Sequence, residues 1–158
     1  MAELFEALSQ WGVAAFIRQS AIAYPLVNAA HIFSLALLVG SIVTLDLRIL
    51  GAFRAQPLSV LAPPLSRVAV IGLGCAAATG FLLFATRPAA YAANPAFLVK
   101  LGLVTLGALN ALTLRSSASW RACLCGAPPG ARLRIAALVS LALWSGAVLA
   151  GRWIGFLQ

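Results

Sequence analysis

A chain of 158 residues that is 63% hydrophobic and only 9% charged does not have the composition of a water-soluble domain, where about 25% of residues carry charge. The net charge of +8 is spread between apolar runs, and no continuous basic face remains for a nucleic-acid partner. The three cysteines, Cys75, Cys123 and Cys125, are odd in number, and one lies in an apolar run, which excludes a secreted disulfide framework.

The chain opens with ELFEALSQWGVAAFIR over residues 3–18. Phe5, Leu8, Trp11 or Gly12, and Ala15 or Phe16 recur at helical spacing, with Glu6, Ser9 and Gln10 elsewhere around the helix. Glu3 and Glu6 stand where a signal peptide would carry positive charge. The segment is too polar to span a bilayer, so residues 1–19 are expected to form an amphipathic interfacial helix.

The remainder, residues 20–158, reads as four transmembrane helices, each supplying the roughly 20 apolar residues a span requires. The first is expected at 25–50, with Pro25 in its first turn, the second at 68–86, the third at 95–114 and the fourth at 135–154. The fold class is therefore all-α, an integral-membrane four-helix bundle. Arg48, Arg54, Arg67, Arg115, Arg121, Arg132 and Arg134 fall on the first and third connections and their helix ends, with Asp46 the only acid. Arg18, Arg87 and Arg152, opposed by Glu3 and Glu6, fall on the other side. Positive-inside bias places the arginine-rich connections in the cytoplasm and both termini outside, in the periplasm of a bacterial inner membrane. Gly72, Ala76 and Gly80 form a small-residue stripe suited to close helix contact, within the chain or between subunits.

Ionisable residues at membrane depth are costly and face a partner or a cavity. His31, the only histidine, lies about 9 Å below the start of the first span at the helical rise, and Lys100 about 7–8 Å below the start of the third. Both helices begin on the same side, so the two residues share a layer. Arg152 returns toward that layer on the fourth span, Asn28 precedes His31 by a turn, and Thr79 and Gly80 approach from the second span. Three bases converging without an acid suit an anionic or metal-bound group. A porphyrin qualifies, with His31 as axial ligand to iron and Lys100 or Arg152 at the propionates. A quinone or an anionic lipid headgroup also fits. Simpler roles remain open: His31 bonded to Asn28 or a carbonyl, and Lys100 and Arg152 snorkelling to the interface. Asp46 is expected in an interhelical ion pair with Arg115 or Arg134. Cys123 and Cys125, with no histidine nearby, do not make a zinc site. No phosphate-binding loop, carboxylate pair, zinc-protease motif or triad occurs, so no catalytic residue is assigned.

The run IRQSAIAYPLVNAAHIFSLALLVGSIVTLDLRILG resembles the N-terminal signature of a family of small bacterial four-span inner-membrane proteins of unknown function. NPAFLVKLGLVTLGALNAL resembles that family's third span and GRWIGF its ending. More distantly, the chain is similar to the copper-resistance D family and to the membrane protoporphyrinogen oxidase that binds b-type haem. The second resemblance implies His31 as a haem ligand and Lys100 as its functional partner. The oxidase's additional histidines and its Pro-Arg-Leu-Phe-type run are missing, and its activity is not carried over.

The expectation is a membrane protein with a ligand site in the outer half of the bundle, cofactor-binding through His31, Lys100, Arg152 and Asn28. Haem b is the named cofactor, with His31 as the metal ligand. Two alternatives stand beside it: a structural or assembly subunit of a membrane complex, and a small transporter or copper-handling protein. The lipid bilayer is the one required partner; a homo-oligomer or a complex partner is compatible with the small-residue stripe.

Overall fold

The computed structural model describes residues 2–156. Among these residues there is no strand, and four helices are long and apolar enough to cross a bilayer, which makes this an all-α multi-pass membrane protein. The spans are α3 (Ala23–Leu50), α4 (Leu58–Thr86), α6 (Pro95–Ser116) and α8 (Ala131–Trp153), the last continued by a 3-10 turn at Ile154–Phe156. Four shorter helices join them: α1 (Ala2–Gln10), α2 (Gly12–Gln19), α5 (Pro88–Ala93) and α7 (Ala118–Leu124). Helices α1, α2 and α5 sit at the end of the bundle where α3 and α6 begin, here called the N-terminal end; α7 covers the opposite end.

The local chemistry sets the boundaries. Asn94 caps α6, its side-chain oxygen accepting from the amides of Ala96 at 3.0 Å and Phe97 at 3.4 Å, with Pro95 in the first turn. Its amide nitrogen also donates to the Ile154 carbonyl at 3.3 Å, tying the start of α6 to the end of α8. Ser117 caps α7 through the Trp120 amide at 3.1 Å. Gly51, at φ 115°, ends α3 in the left-handed conformation that glycine adopts without a Cβ penalty.

Two boundaries differ most from the sequence expectation. The N-terminal amphipathic segment is two helices, because Trp11 is extended at φ −55° and ψ 127° and Gly12 follows it with poor helix propensity. Helix α4 begins at Leu58, well before Val68, and runs through Pro63 and Pro64. Pro63 and Pro64 fall in the second turn, where each removes one backbone bond to the residue four positions earlier. Here Leu58 and Ala62 are buried in a cluster with Leu45, Ile49, Trp120 and Leu133, and that packing holds the first turns of α4 in place.

The spans pack in the order α4, α3, α8, α6; α4 and α6 scarcely touch each other and are bridged at the two ends by α1, α5 and α7. The α3–α4 seam is the tightest. A Cβ built on Gly72 would lie 2.8 Å from the Leu38 amide nitrogen and 3.0 Å from the Ser34 carbonyl oxygen. The stripe Gly72, Ala76, Gly80 is thus spent within the chain, letting the backbones of α3 and α4 meet. On the other flank, Gly107 of α6 gives the same access to the Trp144 indole of α8, whose ring carbon Cε2 would be 2.9 Å from an added Cβ. One cluster of buried apolar side chains fills the α7 end of the bundle, and a smaller one, around Leu38, Ala69 and Trp144, lies near its middle.

Candidate functional site: the His31–Lys100 layer

His31 is half-buried on α3, its ring laid over α4. Gly80 makes room for it: a Cβ there would stand 3.0 Å from the ring carbon Cε1. Nδ1 lies 3.0 Å from the Thr79 hydroxyl oxygen. That hydroxyl donates its own hydrogen to the Cys75 carbonyl at 2.6 Å, so it can only accept from the ring. Nδ1 therefore carries a proton and donates, with the Ala76 carbonyl beside it. In the neutral ring, Nε2 is left with a lone pair and no partner among the described residues.

Lys100 approaches from the diagonally placed helix α6. Its stem lies along α8 at Gly151, where an added Cβ would be 3.5 Å from Cδ and 3.6 Å from Nζ. The ammonium makes no hydrogen bond or ion pair among the described residues, and its charge acts on His31. Two helix glycines, Gly80 and Gly151, thus admit the two polar side chains to one layer, which belongs to neither apolar cluster.

Above this layer, toward the N-terminal end, aromatic rings close the gap between α4 and α6. Phe84 and Phe97 stack with centroids 5.6 Å apart and planes 10° apart. Tyr91 of α5 meets Phe97 at 5.5 Å, and Phe5 of α1 meets Phe84 edge-on at 6.3 Å. Phe84 is one turn beyond Gly80 on α4, and Phe97 one turn before Lys100 on α6, so the stack is the roof of the same layer. The sequence carried a signal for it in that spacing, though the sequence reading of the site used only the polar residues.

Not every expected member joins. Arg152 is exposed, and its guanidinium lies over the Phe156 ring, 4.8 Å from the centroid. Its neighbour Gly151 is the residue that faces Lys100, and one step along a helix turns a side chain by about 100°. Asn28 is exposed and makes no side-chain hydrogen bond among the described residues; the ring partner of His31 is Thr79.

Asp46 also departs from its expectation. It makes no ion pair with Arg115 or Arg134. It is buried on α3 with the Ser140 hydroxyl of α8 beside it, and its Oδ2 has no hydrogen-bond partner among the described residues. Among the described residues no three His, Cys, Asp or Glu side chains gather as a metal cage.

No protein-family model matches the chain, and no curated protein or solved structure matches it significantly.

Proposed function

We propose that this multi-pass membrane protein is a ligand-binding protein of the bacterial inner membrane. In this reading both termini lie in the periplasm, and the ligand is a b-type haem at the His31–Lys100 layer. The observation that carries the reading is the free Nε2 of His31. An imidazole whose Nδ1–H is tied to a fixed acceptor presents Nε2 in one tautomer and one orientation, the arrangement that metal-ligating histidines use. Lys100 supplies an uncommitted ammonium for a propionate. The Phe84–Phe97 stack supplies flat apolar surface beside them. When bound, the haem would supply an iron centre able to exchange electrons or take an exogenous ligand.

The residues present fit such a group with one protein axial ligand. A second imidazole would have to come from another copy of the chain, since His31 is the only histidine. The distant similarity to the haem-binding membrane oxidase, which has an intramembrane His and Lys, supports the same assignment. The orientation rests on the arginines at the α7 end of the bundle.

The test is the absorption spectrum of protein expressed with ample haem and purified in mild detergent. A Soret band that disappears or shifts in His31→Ala is the expected result. Absence of the band would favour an assembly subunit whose polar layer only fixes helix packing. Retention of copper instead would favour a metal-handling protein.

A further inference from the structure

Arg18 and Arg87 meet at a second site, away from the His31–Lys100 layer. A cavity of about 400 Å³ opens at the N-terminal end between α2, the start of α3 and the end of α4, lined by Arg18, Gln19, Ser20, Tyr24, Thr86 and Arg87 among others. Arg18 is pinned there: its Nη1 donates to the Thr86 carbonyl at 3.1 Å and to the Ser9 carbonyl at 3.3 Å. Both hydrogens of that nitrogen are then spent, and the remaining N–H groups of the guanidinium have no acceptor among the described residues. The side chain of Arg87, at the irregular turn between α4 and α5, makes no hydrogen bond among the described residues, while its backbone amide donates to the Phe84 carbonyl.

No acid lines this cavity. Glu6 lines an adjoining cavity that Arg18 and Arg87 also border, and its carboxylate accepts from Gln10 at 3.2 Å. Two guanidinium groups that share a cavity with no acid in its lining repel each other, and their forked donors match an anion with several acceptor oxygens. The surroundings say where such an anion comes from. Phe16, Ile22 and Leu26, close to Arg18 and Tyr24 in the chain, are 65%, 71% and 63% exposed. These apolar side chains belong in hydrocarbon, which sets the guanidinium groups at headgroup level.

We infer that Arg18 and Arg87 form a binding site for a phosphate group, that of a phospholipid headgroup at the bilayer surface. Free phosphate shares the recognised chemistry, and the two sources separate experimentally. The full chain in uncharged detergent is titrated with phosphatidylglycerol, with inorganic phosphate, or with diacylglycerol, and the unfolding midpoint is followed. Phosphatidylglycerol is expected to raise the midpoint of the wild type and diacylglycerol to leave it unchanged.

In Arg87→Gln, the phosphatidylglycerol concentration for half-effect is expected to rise roughly tenfold, as loss of a charge-assisted hydrogen bond implies. The Arg87 side chain makes no hydrogen bond among the described residues and its backbone bonds are kept in the variant, so this variant keeps the fold; a matching midpoint without lipid checks that. A response to inorganic phosphate equal to that of the lipid supports the site and reassigns its source. An equal response in Arg87→Gln, an equal response to diacylglycerol, or no response to either phosphate overturns the inference.

Discussion

Gly72→Ala tests the packing that brings His31 to Thr79. The added Cβ would sit 2.8 Å from the Leu38 amide nitrogen and 3.1 Å from its Cα. Both are backbone atoms, so no rotamer change relieves the clash. Reaching ordinary contact at 3.4 Å requires the helices to part by 3.4 − 2.8 = 0.6 Å at that point. If the seam opens evenly, the His31–Thr79 distance of 3.0 Å grows by the same amount and leaves hydrogen-bond range. Overpacking of this kind costs about 1–3 kcal/mol.

Gly74 is the control, because a Cβ there meets nothing within 4 Å. Both substitutions receive the same gain in helix propensity, so their difference isolates the clash. Reversible unfolding in mixed micelles is the assay. Gly72→Ala is expected to be about 1–3 kcal/mol less stable than Gly74→Ala. Equal stability would refute the close α3–α4 approach and, with it, the seating of His31.

Other consequences follow from single contacts. Thr79→Val removes the acceptor for the Nδ1–H of His31 at nearly constant volume; haem affinity measured by titration is expected to fall roughly tenfold to a hundredfold, and unchanged affinity would dissociate Thr79 from the site. Asp46→Asn removes a charge with no cationic partner and is expected to leave the unfolding midpoint unchanged or raised, whereas a loss of about 3–5 kcal/mol would reveal a buried ion pair. Cys123 and Cys125 should separate on alkylation. Burial pushes the Cys123 thiol above its usual range, against an opposing backbone hydrogen bond at Gly130, so its thiolate is scarce at pH 8 and increases as pH rises through the shifted value. Exposed Cys125 is expected to react first with a maleimide, and from the cytoplasmic face only; rapid labelling by an impermeant reagent on intact cells would reverse the proposed orientation.

The spans were legible because long apolar runs have few alternatives. The sequence also gave the depth of each polar residue, since rise along a helix is fixed. It did not give the direction each side chain takes around its helix. His31 and Lys100 were placed in one layer by depth; Gly80 on α4 leaves room for the His31 ring and Gly151 on α8 for the Lys100 stem, and the charge of Lys100 acts on His31. Arg152 has a suitable depth but the wrong direction, since the face toward Lys100 belongs to Gly151. Asp46 was assigned arginine partners for the same reason, while its side chain meets Ser140. The early start of α4 was hidden by Pro63 and Pro64, which read locally as a helix boundary and are overridden by the packing of Leu58 and Ala62.

The most direct measurement is a haem titration of haem-free protein, wild type beside His31→Ala, followed at the Soret band. A saturable band in the wild type that is lost in the variant is the expected result. No band in the wild type, or the same band in both proteins, would contradict His31 as the residue that holds the ligand.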